Sequence, residues 1–198
     1  DVEGRCTVSF DLPKKIERGE GTLAFAIADG GVVETAAKTL PILLQTVDVR
    51  LFPEGGDLVA GLPCRVYLEA KTPAQKPADI AGTLCALDKA GEPLPADGPA
   101  VTFRTAHEGR GRFAFTPRAG VRYALQITEP AGIAKVYPLP AVKADGAVLS
   151  AVQDRTASGE PVQLRVGATA AGDYHLTLCK REKEVAFQPE RLAAGAVQ

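Results

Sequence analysis

Two carboxylates bracket two glycines in Glu54-Gly55-Gly56-Asp57, the raw material of a calcium loop. Calcium takes roughly six to eight oxygen ligands, and the regular acid spacing of an EF-hand is missing here. The segment reads instead as a turn: glycine permits positive φ, and Pro53 ends the strand before it. A second candidate is Thr105-Ala106-His107-Glu108-Gly109-Arg110-Gly111-Arg112. A base or metal ligand at His107 needs partners, and the other histidine, His175, is far along the chain. The stretch reads as an exposed hairpin loop shaped by Gly109 and Gly111. Its Arg110 and Arg112 are placed either to meet a partner's carboxylate or, as is commoner at a surface, simply to be solvated. Glu54, Asp57, Arg110 and Arg112 together make the candidate interaction surface.

Other patterns that carry chemistry are absent. Gly109-Arg110-Gly111-Arg112 lacks the Gly-Lys-Ser/Thr ending of a phosphate loop and leads into a strand, so no helix N-terminus is offered to an anion. There is no G-x-S-x-G elbow, and Ser9, Ser150 and Ser158 have no histidine nearby in sequence. Glu182 and Glu184 sit in the mixed run Lys180-Arg181-Glu182-Lys183-Glu184, which reads as a solvated strand face or loop. The expectation is a non-enzymatic chain with no catalytic residues, no metal and no cofactor.

The four cysteines are Cys6, Cys64, Cys85 and Cys179, with no C-x-x-C among them. That spacing, with two histidines, argues against zinc. Alternation puts Cys6 beside Val8 and Phe10, and Cys64 beside Val66 and Leu68, on apolar strand faces as buried thiols. Cys179 alternates with His175 and Thr177 and should face solvent. If one disulfide forms, Cys64–Cys85 is the most plausible pair, and geometry decides it.

The elements that hold these residues are strands. Val121, Tyr123, Leu125 and Ile127 point one way, and Arg122, Ala124, Gln126 and Thr128 the other. Leu23/Phe25/Ile27, Val66/Leu68/Ala70, Phe113/Phe115 and Val162/Leu164/Val166 repeat the pattern. Turn residues separate the runs: Asp29-Gly30-Gly31, Lys89 to Pro93, Asp97-Gly98-Pro99, Pro117 to Gly120, Ala171-Gly172-Asp173. Only Pro189 to Val197 reads as a helical turn. The 20 glycines and 15 prolines among 198 residues suit many turns. A net charge of −1 with scattered lysines and arginines gives no pull toward nucleic acid or an anionic membrane. No apolar run nears the ~18 residues of a membrane helix. There is no methionine and the first residue is Asp1, so the sequence reads as a processed protein or an excised segment.

The runs also repeat. Phe10-Asp11-Leu12-Pro13 followed by Leu23 to Ile27 matches Phe115-Thr116-Pro117 followed by Tyr123 to Ile127. Residues 1–46 therefore read as the second half of a β-sandwich module, 47–143 as a whole one, and 144–198 as the start of another. Gly120-Val121-Arg122-Tyr123 and Gly172-Asp173-Tyr174 each place a tyrosine just after a tight turn, which resembles the tyrosine corner of Ig-like sandwiches.

The string Leu51-Phe52-Pro53-Glu54-Gly55-Gly56-Asp57-Leu58-Val59-Ala60-Gly61-Leu62-Pro63, then Val66 to Ala70, is similar to macroglobulin-like modules of bacterial alpha-2-macroglobulin-type proteins. Gly111 to Pro117, with Gly120 and Tyr123, fits the same modules. The resemblance is strongest over 47–143. It implies tandem all-β, antiparallel, two-sheet Ig-like sandwiches of about seven strands each, forming the frame of a large protein that traps proteases. The family's thioester signature is Cys-x-Glu-Gln. Cys179-Lys180-Arg181-Glu182 comes nearest, with its Glu one position late and Lys183 in place of Gln, so no functional residue carries over. The resemblance implies an extracytoplasmic structural segment, whether periplasmic, surface or secreted. Its partners would be other modules of the same polypeptide and proteases trapped by the whole protein, with no nucleic acid and no membrane insertion. The alternatives are an adhesion or carbohydrate-binding sandwich, or an accessory β-domain of an enzyme.

Overall fold

A run in which every second residue is apolar buries one face only as a strand, and glycine-bearing turns set where each strand stops. The computed structural model describes residues 7, 9, 11, 20–41, 46–106 and 108–195. Cys6 and His107, both singled out above, lie outside the described residues. Among the described residues all regular structure is strand and none is helix. The helical turn expected from Pro189 is corrected: those residues continue a strand to Leu192, because Pro189 lies opposite His175 in a hairpin that supplies the backbone pairing.

The chain divides into two compact units, 1–43 and 44–198. In the first, β1 (Glu20–Asp29) and β2 (Val32–Pro41) form a hairpin. Its two-residue loop is Gly30-Gly31, with φ of 55° and 85°, the backbone that the right-handed twist of a two-residue hairpin demands.

In the second unit the strands are β3 (Asp48–Pro53), β4 (Leu58–Val59), β5 (Cys64–Lys71), β6 (Ala81–Leu87), β7 (Pro93–Pro95), β8 (Thr102–Ala106), β9 (Arg110–Phe115), β10 (Arg122–Glu129), β11 (Val136–Pro138), β12 (Val142–Lys143), β13 (Ala147–Ala151), β14 (Leu164–Ala168), β15 (Gly172–Lys180) and β16 (Lys183–Leu192). Eight of them make one antiparallel sheet, ordered β11-β10-β6-β8-β9-β5-β3 with β7 on β6. The resemblance implies two separate sheets. Instead β8 belongs to both halves: Thr102–Arg104 pair with β6, then Thr105–Ala106 pair with β9. The sheet thus folds over on itself around a core that includes Val66, Leu68, Leu84, Phe103, Phe113, Leu125 and Ile127. Its ends nearly meet. The Tyr137 hydroxyl, on β11, donates to the Val47 carbonyl at 2.9 Å, just ahead of β3. Farther along, β4 and β12 pair in parallel.

Alternation predicts the burial within the barrel but not outside it, where Phe25, Ile27, Val162 and Leu164 are exposed. Val66, Leu68, Tyr123, Leu125 and Ile127 are buried, while Arg122, Gln126 and Thr128 are exposed. Ala124 departs from it, buried on the outer face where the Cys85 thiol donates to its carbonyl at 3.3 Å. Both tyrosine corners form. The Tyr123 hydroxyl accepts from the Arg118 amide at 3.1 Å, and the Tyr174 hydroxyl donates to the Ala170 carbonyl at 3.0 Å.

Candidate functional site

The four candidate residues fall on the outer face of β3, β5 and β9 and on the turn that leaves β3. Opposed residues on adjacent strands share a face, and the register sets Phe52 beside Tyr67 and Tyr67 beside Arg112. The next row down is Arg50, Glu69 and Arg110. Above them the chain turns out of β3 through Glu54, with the Gly56 amide donating to the Pro53 carbonyl at 2.9 Å.

This turn is where β13 is seated. Glu54 Oε1 accepts the Ala151 amide of β13 at 2.8 Å. Glu54 Oε2 lies 3.3 Å from Arg65 Nη1 as an ion pair, without hydrogen-bond alignment. Arg65 lies 3.5 Å from Asp154, which also takes the Arg112 guanidinium in a hydrogen-bonded ion pair. The Asp154 hydrogen bond is the main reason that the Arg112 guanidinium is held charged above its ordinary range. The Tyr67 hydroxyl does the same for Arg65, followed by the Glu54 charge. On the other side of the turn, Lys143 Nζ meets Asp57 Oδ2 at 2.6 Å. Arg110 stands apart, 3.7 Å from Glu108 with both side chains exposed.

The two glycines of the turn have different jobs. Gly56 has φ of 85° and open space around it. Gly55 is pressed against the next strand: a Cβ there would lie 3.1 Å from the Leu149 amide nitrogen and 3.3 Å from the Leu149 oxygen and Val148 Cα. Val148 itself joins the main core. Val59 closes the other side, its Cγ2 3.2 Å from where a Cβ on Gly146 would sit. The arrangement is a joint, with backbone-to-backbone contact at its centre and ion pairs at its rim.

Chemically, the site holds and orients a strand. Glu54 and Asp57 turn to different partners and share no centre. Among the described residues no group of three or more His, Cys, Asp and Glu side chains is placed to hold a metal. Cys64 and Cys85 are separate buried free thiols, so the proposed pairing is not formed. Cys64 donates to the Leu62 carbonyl on β5's side of the core, and Cys85 faces Ala124 across β6 and β10. Cys179 is exposed, as its alternation with His175 predicts. Arg65 and Asp154, which complete the joint, were not singled out in the sequence. Arg65 could have been found from its place on the polar face of β5, whereas Asp154 lies in an irregular segment with no pattern to mark it.

No protein-family model matches the chain, and no curated protein matches it significantly.

Proposed function

We propose that the chain is a non-catalytic framework segment, in which β-sandwich modules of the macroglobulin-like type are strung in series and fixed to one another at built joints. The strand order supports the Ig-like reading: β3-β5-β9-β8 and β11-β10-β6-β7 follow the A-B-E-D and G-F-C-C′ orders of such sandwiches, with a tyrosine corner at the start of the F-like β10. By the same resemblance the parent protein is an extracytoplasmic protease trap, and this segment spaces and orients its parts. The single observation that carries the framework role is the seat of β13 on the Glu54-Gly55 turn. A flexible linker has no use for a glycine packed on a neighbour's backbone.

The test is a distance measurement. Paired labels on the β6–β7 loop and the β15–β16 turn should give one narrow distance distribution. Gly55→Val, which pushes a branched side chain into Leu149, should broaden it without unfolding the barrel. A wild-type distribution already broad would end the framework reading.

A glycan-binding reading is favoured by one observation. Phe52 and Tyr67, 52% and 37% exposed, form a cross-strand pair on the outer face. With Glu69 and Arg110 they line a shallow groove of about 240 Å³, and an aromatic wall opposite a charged one suits a sugar ring. Saturable binding on a glycan array, abolished by Tyr67→Ala, would support this reading. An array without signal removes it.

A further inference from the structure

The outer face of β3, β5 and β9 continues below the aromatic pair into a second, polar cleft. This cleft holds about 320 Å³ and lies where β3 nears β11, with Asp48, Arg50, Glu69, Lys71, Lys135 and Tyr137 in its walls. Glu69 lines both this cleft and the groove beside Phe52 and Tyr67. Residues two apart on a strand are about 7 Å apart. The row Arg50, Glu69, Arg110 therefore follows directly on the row Phe52, Tyr67, Arg112. The two hollows make one strip, aromatic toward the joint and charged at the far end.

The charges along the strip do not cancel. Four cations, Arg50, Lys71, Arg110 and Lys135, line it against two carboxylates, Asp48 and Glu69. Both carboxylates are already engaged. Glu69 Oε1 lies 3.4 Å from Lys71 Nζ, and Asp48 Oδ2 accepts the Gln75 side-chain amide at 3.1 Å. Among the described residues the Arg50 side chain has no hydrogen bond or ion pair, and Lys135 has only the Tyr137 ring, whose centroid is 5.1 Å from its Nζ. Arg112, nearer the joint, is taken by Asp154. A guanidinium and an ammonium without acids, one row from an aromatic pair, suit a ligand that is apolar on one face and anionic at its rim.

We propose that this strip binds an acidic oligosaccharide. One sugar ring stacks on Phe52 and Tyr67, and the carboxylate or sulfate of a neighbouring sugar enters the cleft that Arg50 and Lys135 line. The proposal rests on the glycan reading above and adds to it the charge of the ligand and the residues that select it. The aromatic pair by itself takes neutral and acidic sugars alike, so the preference for acid belongs to the two cations.

A glycan array carrying neutral, uronic-acid and sulfated oligosaccharides should give signal on the acidic ones, and the hits themselves tell carboxylate from sulfate. The strongest hit is then titrated by calorimetry beside its carboxyl-reduced or desulfated form. The acidic form should bind about tenfold more tightly or better, the worth of one hydrogen bond to a charged group. Arg50→Gln and Lys135→Gln, both at exposed positions, should each remove most of that preference and leave the neutral form's binding unchanged. Tyr67→Ala should weaken both forms. Lys89→Gln deletes an exposed charge between β6 and β7 and should change nothing. Four results would each overturn the proposal: signal confined to neutral glycans, equal affinity for the two forms, an undiminished preference in both cation variants, or a loss at Lys89→Gln as large as at Arg50→Gln. Binding to neutral glycans that Tyr67→Ala abolishes leaves the glycan reading standing without the acid preference. A blank array removes both.

Discussion

Gly55 and Gly56 are neighbours of the same type, and the sequence assigns them one role. Only Gly56 needs its conformational freedom; Gly55 is required for what touches it. That distinction was not legible, because a close approach depends on a strand almost a hundred residues away. The thiols were more legible, since alternation alone sorts Cys64 from Cys179. Burial raises the pKa of Cys64 and Cys85 above the ordinary thiol value of 9.0, against a smaller opposing effect of hydrogen bonds to backbone carbonyls. The neutral thiol is therefore the form that the fold favours. Its contribution is complete below the unfolded thiol pKa and is lost as pH rises through the raised folded values. Chemical denaturation midpoints should hold near neutrality and fall in the alkaline range, and the Cys64→Ala, Cys85→Ala double variant should flatten that fall. A thiol reagent at neutral pH should modify Cys179 at once and the two buried thiols only on unfolding. Rapid labelling of Cys64 in the folded chain would contradict its burial.

At the scale of elements, β8 decides the architecture. Its five residues pair first with β6 and then with β9, and Thr105 sits where it changes partner. That side chain is 3% exposed, accepts from the Ile80 amide at 2.8 Å and donates to the Ala78 carbonyl at 3.0 Å. A hydroxyl there supplies the backbone pairing that a strand leaving its neighbour gives up. Thr105→Val keeps the shape and leaves the buried Ile80 amide without its partner, so it should cost about 1–3 kcal/mol. A urea midpoint unchanged from wild type would show that the hydroxyl is dispensable. The sequence marks neither Thr105 nor the joining of the two halves, since a strand's partners are not encoded in its period. What it does mark is local. The tyrosine corners at Tyr123 and Tyr174 and the Gly30-Gly31 loop form as their residues suggest. The β15–β16 loop escapes the same logic: Arg181 and Glu182 take φ of 50° and 66° without a glycine, so the run reads as charge rather than as a turn.

At the scale of the molecule, the buried apolar side chains among the described residues are concentrated in one place. Half of the core's buried side chains come from β5, β6, β8, β9 and β10, and the rest from β4, β11 and the connecting segments, with Val148 of β13 inserted at the joint. The hairpin β15–β16 gives only Leu192 to the buried set, while Leu178, Val185 and Phe187 stay 63%, 56% and 52% exposed. Regional stability follows such differences, because an element with little buried apolar area opens without unfolding the rest. Amide exchange of the dilute chain should therefore fall into tiers. The amides of β5, β6 and β10 should exchange only with global unfolding. Those of β13 should be intermediate, since Val148 and the Ala151–Glu54 hydrogen bond tie it to the barrel, and those of β15 and β16 should exchange through local opening. Glu54→Gln with Asp154→Asn removes the ion pairs that Arg65 and Arg112 make at the joint and leaves Lys143–Asp57 in place; the exposed Arg112–Asp154 pair is worth no more than about 1 kcal/mol. The double variant should move β13 toward the fast tier and leave β5, β6 and β10 where they were. If β13 instead keeps pace with the barrel in that variant, the backbone contact at Gly55 and the burial of Val148 hold the joint by themselves. If β15 and β16 exchange as slowly as the core in dilute wild type, the segment after residue 144 is a stable part of the same folding unit rather than a module seated on it.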